Sequence, residues 1–154
     1  MKRVIIIVIA ITLSQGALAM SLFDAGKTCV FSNVKATLTM NGEPLRNAKV
    51  IRRWEWTDEK EDSTTTDENG HFEFPAVFER SVTRLLPIEL VIAQGLYVVV
   101  DGKEQHFWSN SKTEPEENAE FDGKPISMAC ELTHEMKIYR DFGSLMRTLC
   151  TWDK

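Results

Sequence analysis

Short runs of alternating or β-branched residues, separated by turn signals, fill most of the chain after Val30. One run, Val34–Met40, alternates apolar with polar side chains and ends at the pair Asn41-Gly42. Such alternation places one face of a strand against a core, and an Asn-Gly pair favours a hairpin turn. Because the runs are short and closely spaced, the pattern predicts an antiparallel sandwich or barrel rather than β-α-β units.

The same signals place the other strands. In an unbroken strand over residues 48–56, the side chains of Ala48, Val50, Arg52, Trp54 and Trp56 share one face. The charged residues 57–62 are typical of a solvated hairpin tip. Phe72 and Phe74 alternate with polar residues, which predicts that both phenylalanines face the core. Asp67 to Gly70 and Asp101-Gly102 predict further turns. Further strands are predicted at residues 71–75, 88–94, 96–100, 103–108, 126–132 and 147–152, about eight in all.

The amino terminus has the layout of a secretory signal peptide. Lys2 and Arg3 precede an uncharged apolar stretch, and Ala17-Leu18-Ala19 is typical of a cleavage site. The alternative is a transmembrane anchor, but spanning a bilayer takes ~20 apolar residues and this stretch is shorter. We therefore predict a signal peptide over residues 1–19, a single domain over residues 20–154 and a periplasmic location.

The charge balance limits the classes of partner. The chain has 18 Lys and Arg against 23 Asp and Glu, a formal charge of −5. Loss of Lys2 and Arg3 with the signal peptide makes the protein more acidic still. Nucleic-acid binding is therefore not expected, because it needs a basic surface. No segment after the signal peptide is long and apolar enough to predict an integral membrane segment.

Three cysteines, Cys29, Cys130 and Cys150, remain after the predicted cleavage, and an oxidising compartment favours disulfides. An odd number predicts one bridge and one free thiol. We expect the bridge between Cys130 and Cys150, since both lie in apolar, strand-like segments. Cys29 paired with either of the others is the alternative.

Residues 35–75 carry a recognisable pattern, Asn41-Gly42-x-Pro44-Leu45-x-Asn47-Ala48-x-Val50 followed by Thr65-Thr66-Asp67-x-x-Gly70-x-Phe72-x-Phe74-Pro75. This pattern resembles the carboxypeptidase regulatory-like domain of the transthyretin-like group. The resemblance implies one antiparallel β-sandwich of about seven to eight strands, transthyretin-like or immunoglobulin-like, and says almost nothing about activity. The chain is also similar to small exported proteins of Gram-negative bacteria that lack an assigned function.

No familiar catalytic or cofactor motif is present, whether a nucleophile elbow, a zinc-protease helix, a phosphate loop, a C-x-x-C pair or a dinucleotide glycine run. The three histidines are far apart in sequence, and the acidic residues at 58–62 and 114–122 lack calcium-loop spacing. We expect a protein that is not an enzyme and holds no cofactor or metal. The alternative, an enzyme without a local motif, requires a pocket that gathers at least two of His71, His106, Arg84, Glu89 and Asp101.

Three tryptophans, Trp54, Trp56 and Trp108, lie among charged residues, a mixture found at binding surfaces. The alternative is that they belong to the core. The predicted binding surface is completed by one basic and three acidic residues: Arg84, Glu114, Glu116 and Glu117.

These observations favour a non-enzymatic periplasmic protein that binds another protein. One concrete form is an immunity protein, which neutralises a secreted toxin acting in the periplasm. An acidic surface at residues 114–122, together with residues 78–84, would then cover a basic cleft of the toxin. The alternative is a carbohydrate-binding or envelope-associated β-sandwich that uses exposed aromatic residues.

Overall fold

A computed structural model describes residues 26–81 and 86–152, so the predicted signal peptide lies outside the described residues. The fold is all-β, as predicted. No helix in the described part of the chain is long and apolar enough to cross a membrane.

The described residues form thirteen strands and one turn of 3-10 helix, Ala119–Phe121. The strands are β1 Lys27–Phe31, β2 Val34–Met40, β3 Glu43–Pro44, β4 Lys49–Glu55, β5 Glu59–Thr65, β6 His71–Phe74, β7 Val77–Arg80, β8 Ile92–Val100, β9 Lys103–Lys112, β10 Ile126–Glu131, β11 Lys137–Tyr139, β12 Met146–Thr148 and β13 Cys150–Thr151.

Two larger sheets enclose the core, and a small one flanks them. The five-stranded sheet has the order β13-β10-β2-β3, with β6 also paired to β2, and the six-stranded sheet has the order β11-β12-β9-β8-β4-β5. Strands β1 and β7 form a separate pair. One pair departs from the antiparallel pattern, because β10 runs parallel to β2 with Ile126 opposite Val34. The count exceeds eight because β1, β3, β5, β7 and β11 lie outside the predicted strands and the last predicted strand is divided into β12 and β13.

The core is built by side chains that alternate along each strand. Val34, Ala36 and Leu38 of β2 are buried, as are Phe72 and Phe74 of β6. The predicted inward direction of both phenylalanines is therefore confirmed. Burying apolar side chains at alternate positions of two facing sheets is the main source of stability in a sandwich.

A bulge between β8 and β9 changes the direction of one predicted surface residue. Leu96 pairs with Trp108 and Tyr97 pairs with His106, so Phe107 is an extra residue on β9. An extra residue interrupts the alternation of faces. Phe107 and Trp108 are consequently both fully buried although they are adjacent in sequence. The prediction that Trp108 contributes to an exposed binding surface was wrong for this reason.

Arg52 of β4 is fully buried, as the alternation of that strand implies. Its guanidinium lies over the rings of Phe31 and Phe74, at 5.2 and 4.5 Å from their centroids. It donates hydrogen bonds to both carboxylate oxygens of Asp62 and to the carbonyl of Pro75. Such partners offset the cost of removing a guanidinium charge from water. Asp62 therefore belongs to β5 and lies at the edge of the core. The solvated hairpin tip, predicted for residues 57–62, is restricted to the turn before Glu59.

The segment before β8 also differs from the prediction. A strand was expected from residue 88, but β8 begins at Ile92, and Ile88 is 60% exposed. In the apolar run there, Leu90 packs against the core but Ile88 and Val91 are exposed, because the run precedes Ile92, where the pairing of β8 with β9 begins. The predicted break between residues 94 and 96 does not occur, since Gly95 lies inside one continuous strand.

Gly70 explains the turn that begins at Asp67. Its backbone has a positive φ of 77°, and a β-carbon at this position would lie 2.3 Å from the carbonyl oxygen of Leu38. The carboxylate of Asp67 accepts hydrogen bonds from the amides of Asn69 and His71. Only glycine fits this approach, so the predicted turn is fixed by sterics as well as by conformation.

Glu131, at the end of β10, holds the Asn41-Gly42 turn in place. Its carboxylate accepts hydrogen bonds from the amides of Asn41 and Gly42, the hydroxyl of Thr39, and the amide and hydroxyl of Thr133. These donors favour the ionised form, the Thr133 hydroxyl most strongly, and lower the pKa of Glu131 from 4.5 to about 2.

The lowered pKa of Glu131 predicts an acid-sensitive contribution to stability. The contribution is complete above the unfolded-state pKa near 4.5 and is lost as the pH falls towards about 2. We expect Glu131→Gln to be less stable than the unchanged protein at pH 7 and to approach it in stability near pH 2. Urea unfolding across this range measures the difference. The exposed Glu43→Gln serves as a control, and identical profiles for both variants would contradict the assignment.

Candidate functional site

The structure places the predicted surface residues in different environments. Trp54 is only 7% exposed, and its indole N–H donates to a carboxylate oxygen of Glu79 at 2.6 Å. It is a core residue, so its assignment to an exposed surface was wrong, like that of Trp108. Trp56 is half-buried against the core. Arg84 lies outside the described residues.

The predicted disulfide is present. Cys130 of β10 and Cys150 of β13 face each other in the sheet and are bonded. Cys29 is free and buried, so the alternative pairings do not occur. Burial raises the pKa of the Cys29 thiol, whose sulfur lies 3.7 Å from the hydroxyl oxygen of Ser32.

Four aromatic residues from the last third of the chain pack together at one end of the sandwich. We call Phe121, Tyr139, Phe142 and Trp152 the aromatic cluster. The Trp152 ring lies 5.1 Å from Phe121 at 87°, 4.9 Å from Tyr139 at 69° and 5.9 Å from Phe142. Edge-to-face contacts of this kind fix the orientation of each ring.

A groove runs beside this cluster and encloses about 490 Å³. Its walls are mainly apolar and come from segments distant in sequence. We call it the aromatic groove; it is lined by Phe121, Lys124, Pro125, Ser127, Asp141, Phe142 and Trp152. The volume falls in the range of small-molecule and side-chain pockets.

The ring geometry limits what the aromatic groove can hold. Phe121, Phe142 and Trp152 touch one another, with centroids 5.1–5.9 Å apart, so a ligand contacts the outer surface of the cluster rather than lying between its rings. Polar groups are few, with one ammonium from Lys124 and one carboxylate from Asp141. Such a surface suits an apolar group, whereas a sugar requires several hydrogen-bonding partners.

Residues 113–123, which we call the acidic loop, lead into the groove. Glu114, Glu116 and Glu117 are exposed, as a binding surface requires, and Phe121 at the end of the loop is buried in the groove wall. Asn118 and Asp122 have positive φ angles of 65° and 55° on either side of the 3-10 turn. Asn and Asp tolerate this left-handed conformation better than other non-glycine residues.

A buried ion pair anchors the acidic loop. Lys112 and Glu120 are each 1% exposed, and their charged atoms are 2.8 Å apart. Glu120 also accepts hydrogen bonds from the amide and hydroxyl of Ser32 and from Gln94. Burial alone would raise the pKa of Glu120, but the Lys112 ammonium and these donors lower it below its ordinary value.

Backbone hydrogen bonds complete the anchoring. The Lys112 ammonium donates to the carbonyl of Glu116, and the amide of Cys29 donates to the carbonyl of Pro115. The amide of Asn118 donates to the hydroxyl of Ser32. The loop is thus held from inside while its acidic side chains face outwards, a preorganised arrangement that reduces the entropy lost on binding.

A second, larger groove is polar. It encloses about 620 Å³ and is lined by residues that include Lys35, Thr37, Asp67 and His71. To be the pocket of an enzyme without a local motif, this groove would have to hold His71 together with another of the residues named for it. Of these, His106, Glu89 and Asp101 are described by the structure, and none of them lines this groove. In the described ranges 26–81 and 86–152, no three His, Cys, Asp or Glu side chains are grouped as potential metal ligands.

The model of the domain of unknown function DUF6795 matches residues 34–135, more than half of the chain. The chain belongs to the DUF6795 family. The matched segment begins with β2 and ends just after β10, so it contains the acidic loop and the Phe121 side of the aromatic groove. Asp141, Phe142 and Trp152 lie beyond the part matched by DUF6795. No curated protein matches the chain.

The sequence reasoning missed the aromatic groove. Trp152 was assigned only to a terminal strand, and Phe121, Tyr139 and Phe142 were not singled out. No sequence signal distinguishes them, because aromatic residues are no denser between positions 121 and 152 than between positions 54 and 108. The sequence does not reveal that the rings meet, because the contacts depend on how the connections after β9 and β10 fold back.

Proposed function

We propose that this chain is a non-enzymatic, exported protein-binding β-sandwich, and that it acts as an immunity protein against a secreted toxin that works in the periplasm. The observation that carries the proposal is the aromatic groove beside an anchored acidic loop. Binding sites between proteins commonly centre on aromatic residues in an apolar pocket with charged residues around it. The amino-terminal pattern supports export.

The same surface favours a protein over a sugar as the ligand. Trp152 is held by three neighbouring rings, and the groove offers few hydrogen-bonding groups beyond Ser127, Lys124 and Asp141. An apolar side chain from a partner would fill it without leaving hydroxyl groups unpaired.

We propose further that the DUF6795 domain is related to the carboxypeptidase regulatory-like, transthyretin-like sandwiches. The residues of the quoted pattern lie in β3, β4, β5 and β6 and in the connections next to these strands, and Gly70 occupies a position that only glycine fits. This supports a common arrangement of these strands.

Co-expression tests the immunity role. Secreted toxins encoded beside this gene are expressed in the periplasm with and without the protein, and growth is measured. We expect the protein to restore growth, Trp152→Ala and Ser127→Phe to lose this protection, and the exposed Ile138→Ala to keep it. Protection that persists in both groove variants, or no protection against any adjacent secreted toxin, would contradict the proposal. A change in tryptophan fluorescence with glycans or peptidoglycan fragments would favour the carbohydrate alternative.

A further inference from the structure

The carboxylates of Glu114, Glu116, Glu117 and Asp122 in the acidic loop are exposed. Elsewhere Glu61 and Glu104 pair with Arg53, Asp62 pairs with Arg52, and Glu73 pairs with Lys35. Within the described residues, no lysine, arginine or histidine forms an ion pair with Glu114, Glu116, Glu117 or Asp122. Lys112 does contact the loop, but it is buried and forms its ion pair with Glu120.

The acidic loop runs into the aromatic groove, because Phe121 at its end and Lys124 just after it line the groove. The carbonyl of Asn118 accepts hydrogen bonds from the amides of Phe121 and Gly123, and the amide of Lys124 donates to the carbonyl of Phe121. This tight turn connects the acidic residues to the part of the rim that Phe121 and Lys124 form. A partner segment that fills the groove and continues past Phe121 would follow the loop towards Glu117.

We propose that the aromatic groove and the acidic loop together bind one segment of a partner protein, which carries a large apolar side chain next to several lysines or arginines. The apolar side chain occupies the groove, and the basic residues face Glu114, Glu116 and Glu117. The inference rests on the proposed function, since it describes the partner's contact segment.

Charge complementarity and the fixed loop support this choice of occupant. Binding of a basic segment is favoured by three carboxylates that form no ion pair in the described structure, whereas an acidic segment is repelled. The groove itself holds one ammonium and one carboxylate, Lys124 and Asp141, so its charges favour no cation there; the basic residues belong over the loop and the apolar group belongs on the rings. The loop is already ordered by Lys112, Glu120 and Ser32, which lowers the cost of binding.

Four synthetic peptides of equal length test the chemistry without the natural partner. They combine a phenylalanine or a serine anchor with either flanking lysines or flanking glutamates, and fluorescence anisotropy measures their binding to the full chain. We expect the phenylalanine-lysine peptide to bind about tenfold more tightly than each peptide that lacks one feature, since ~1.4 kcal/mol corresponds to a factor of ten. Raising the salt concentration should weaken only the lysine peptides.

Matched variants separate the two contributions. The triple variant Glu114→Gln, Glu116→Gln, Glu117→Gln should lose the preference for lysine, whereas Glu43→Gln, Glu59→Gln, Glu89→Gln, which changes three exposed carboxylates elsewhere, should keep it. Ser127→Phe fills the groove from an exposed position without removing a ring, so it should remove the preference for phenylalanine. A normal unfolding curve for each variant shows that the fold is intact.

Several outcomes would overturn the inference. Two of them are equal binding of the lysine and glutamate peptides and no binding of any peptide at millimolar concentration. The third is concentration-dependent self-association that Ser127→Phe abolishes, which would mean that a second copy occupies the groove. The peptide test and the co-expression test can fail independently. Restored growth in the presence of a toxin, without binding of any peptide, would disprove the proposed contact chemistry but not the immunity role.

Discussion

Replacing Lys112 with methionine is expected to lower the free energy of unfolding by roughly 3–5 kcal/mol. The substitution keeps a long apolar side chain but leaves the carboxylate of Glu120 without its cation, and Glu120 is 1% exposed. A buried charge that loses its partner costs far more than an exposed one, because water cannot replace the lost contact. Equilibrium unfolding in urea at pH 7 measures the change.

An exposed ion pair provides the matched control for Lys112→Met. The side chains of Lys35 and Glu73 are more than half exposed, so Lys35→Met is expected to cost less than about 1 kcal/mol. The double variant Lys112→Met, Glu120→Gln removes both charges and should recover part of the lost stability. A cost for Lys112→Met no greater than that for Lys35→Met would contradict the assigned role of the buried pair.

The ion pair also links stability to the candidate site. Because Lys112 and Glu120 hold the acidic loop from inside, Lys112→Met should increase amide hydrogen exchange in residues 113–123 more than in the strands around β2. Local opening of this kind needs less free energy than global unfolding. Binding of the phenylalanine-lysine peptide should weaken in the same variant, since the loop would then be ordered only on binding.

Removing the disulfide is the second change with a large expected effect. Cys130→Ala with Cys150→Ala is expected to lower the free energy of unfolding by ~3 kcal/mol, because the bond closes a loop of 20 residues and restricts the unfolded chain. The effect reaches the aromatic groove, since β13 pairs with β10 through only two residue pairs and Trp152 follows directly. We expect hydrogen exchange to rise first at residues 150–152 and the fluorescence of Trp152 to shift.

Cys29→Ala is the control for the disulfide, since it removes a buried sulfur and leaves the bond intact. It should keep the Trp152 fluorescence unchanged and cost less stability than the double variant. A double variant with the stability of the unchanged protein would show that the bond contributes nothing to the fold. Unfolding curves of all three proteins, measured without reductant, decide between these results.

The strands and turns that follow from local rules were predictable. Alternation in β2 and β6 identified the inward side chains, and Asn41-Gly42, Asp67 to Gly70 and Asp101-Gly102 marked turns that the structure contains. Alternation along β4 also predicted that Arg52 and Trp54 share one face, and the structure shows that this face is buried. The Cys130–Cys150 pair was predictable because both residues lie in strand-like segments and the export predicted from the amino terminus favours oxidation.

The faces of two tryptophans could not be settled in the same way. Trp108 is buried because Phe107 forms a bulge, and no local pattern distinguishes a bulged strand from a regular one. Trp54 is buried because Glu79 of a distant strand accepts its N–H, a contact between residues 25 positions apart. Arg53 and Glu55, which flank Trp54, are not buried and gave the impression of a surface there.

The sequence alone determined an all-β chain with defined turns, a cross-link, an acidic balance and an amino terminus typical of export, because each depends on residues that are near one another or on composition. Only the tertiary structure decided which residues form the aromatic groove and that the acidic loop is anchored beside it. Those features require residues 32, 112, 121 and 152 to meet, and such contacts arise from the packing of whole strands rather than from any local preference.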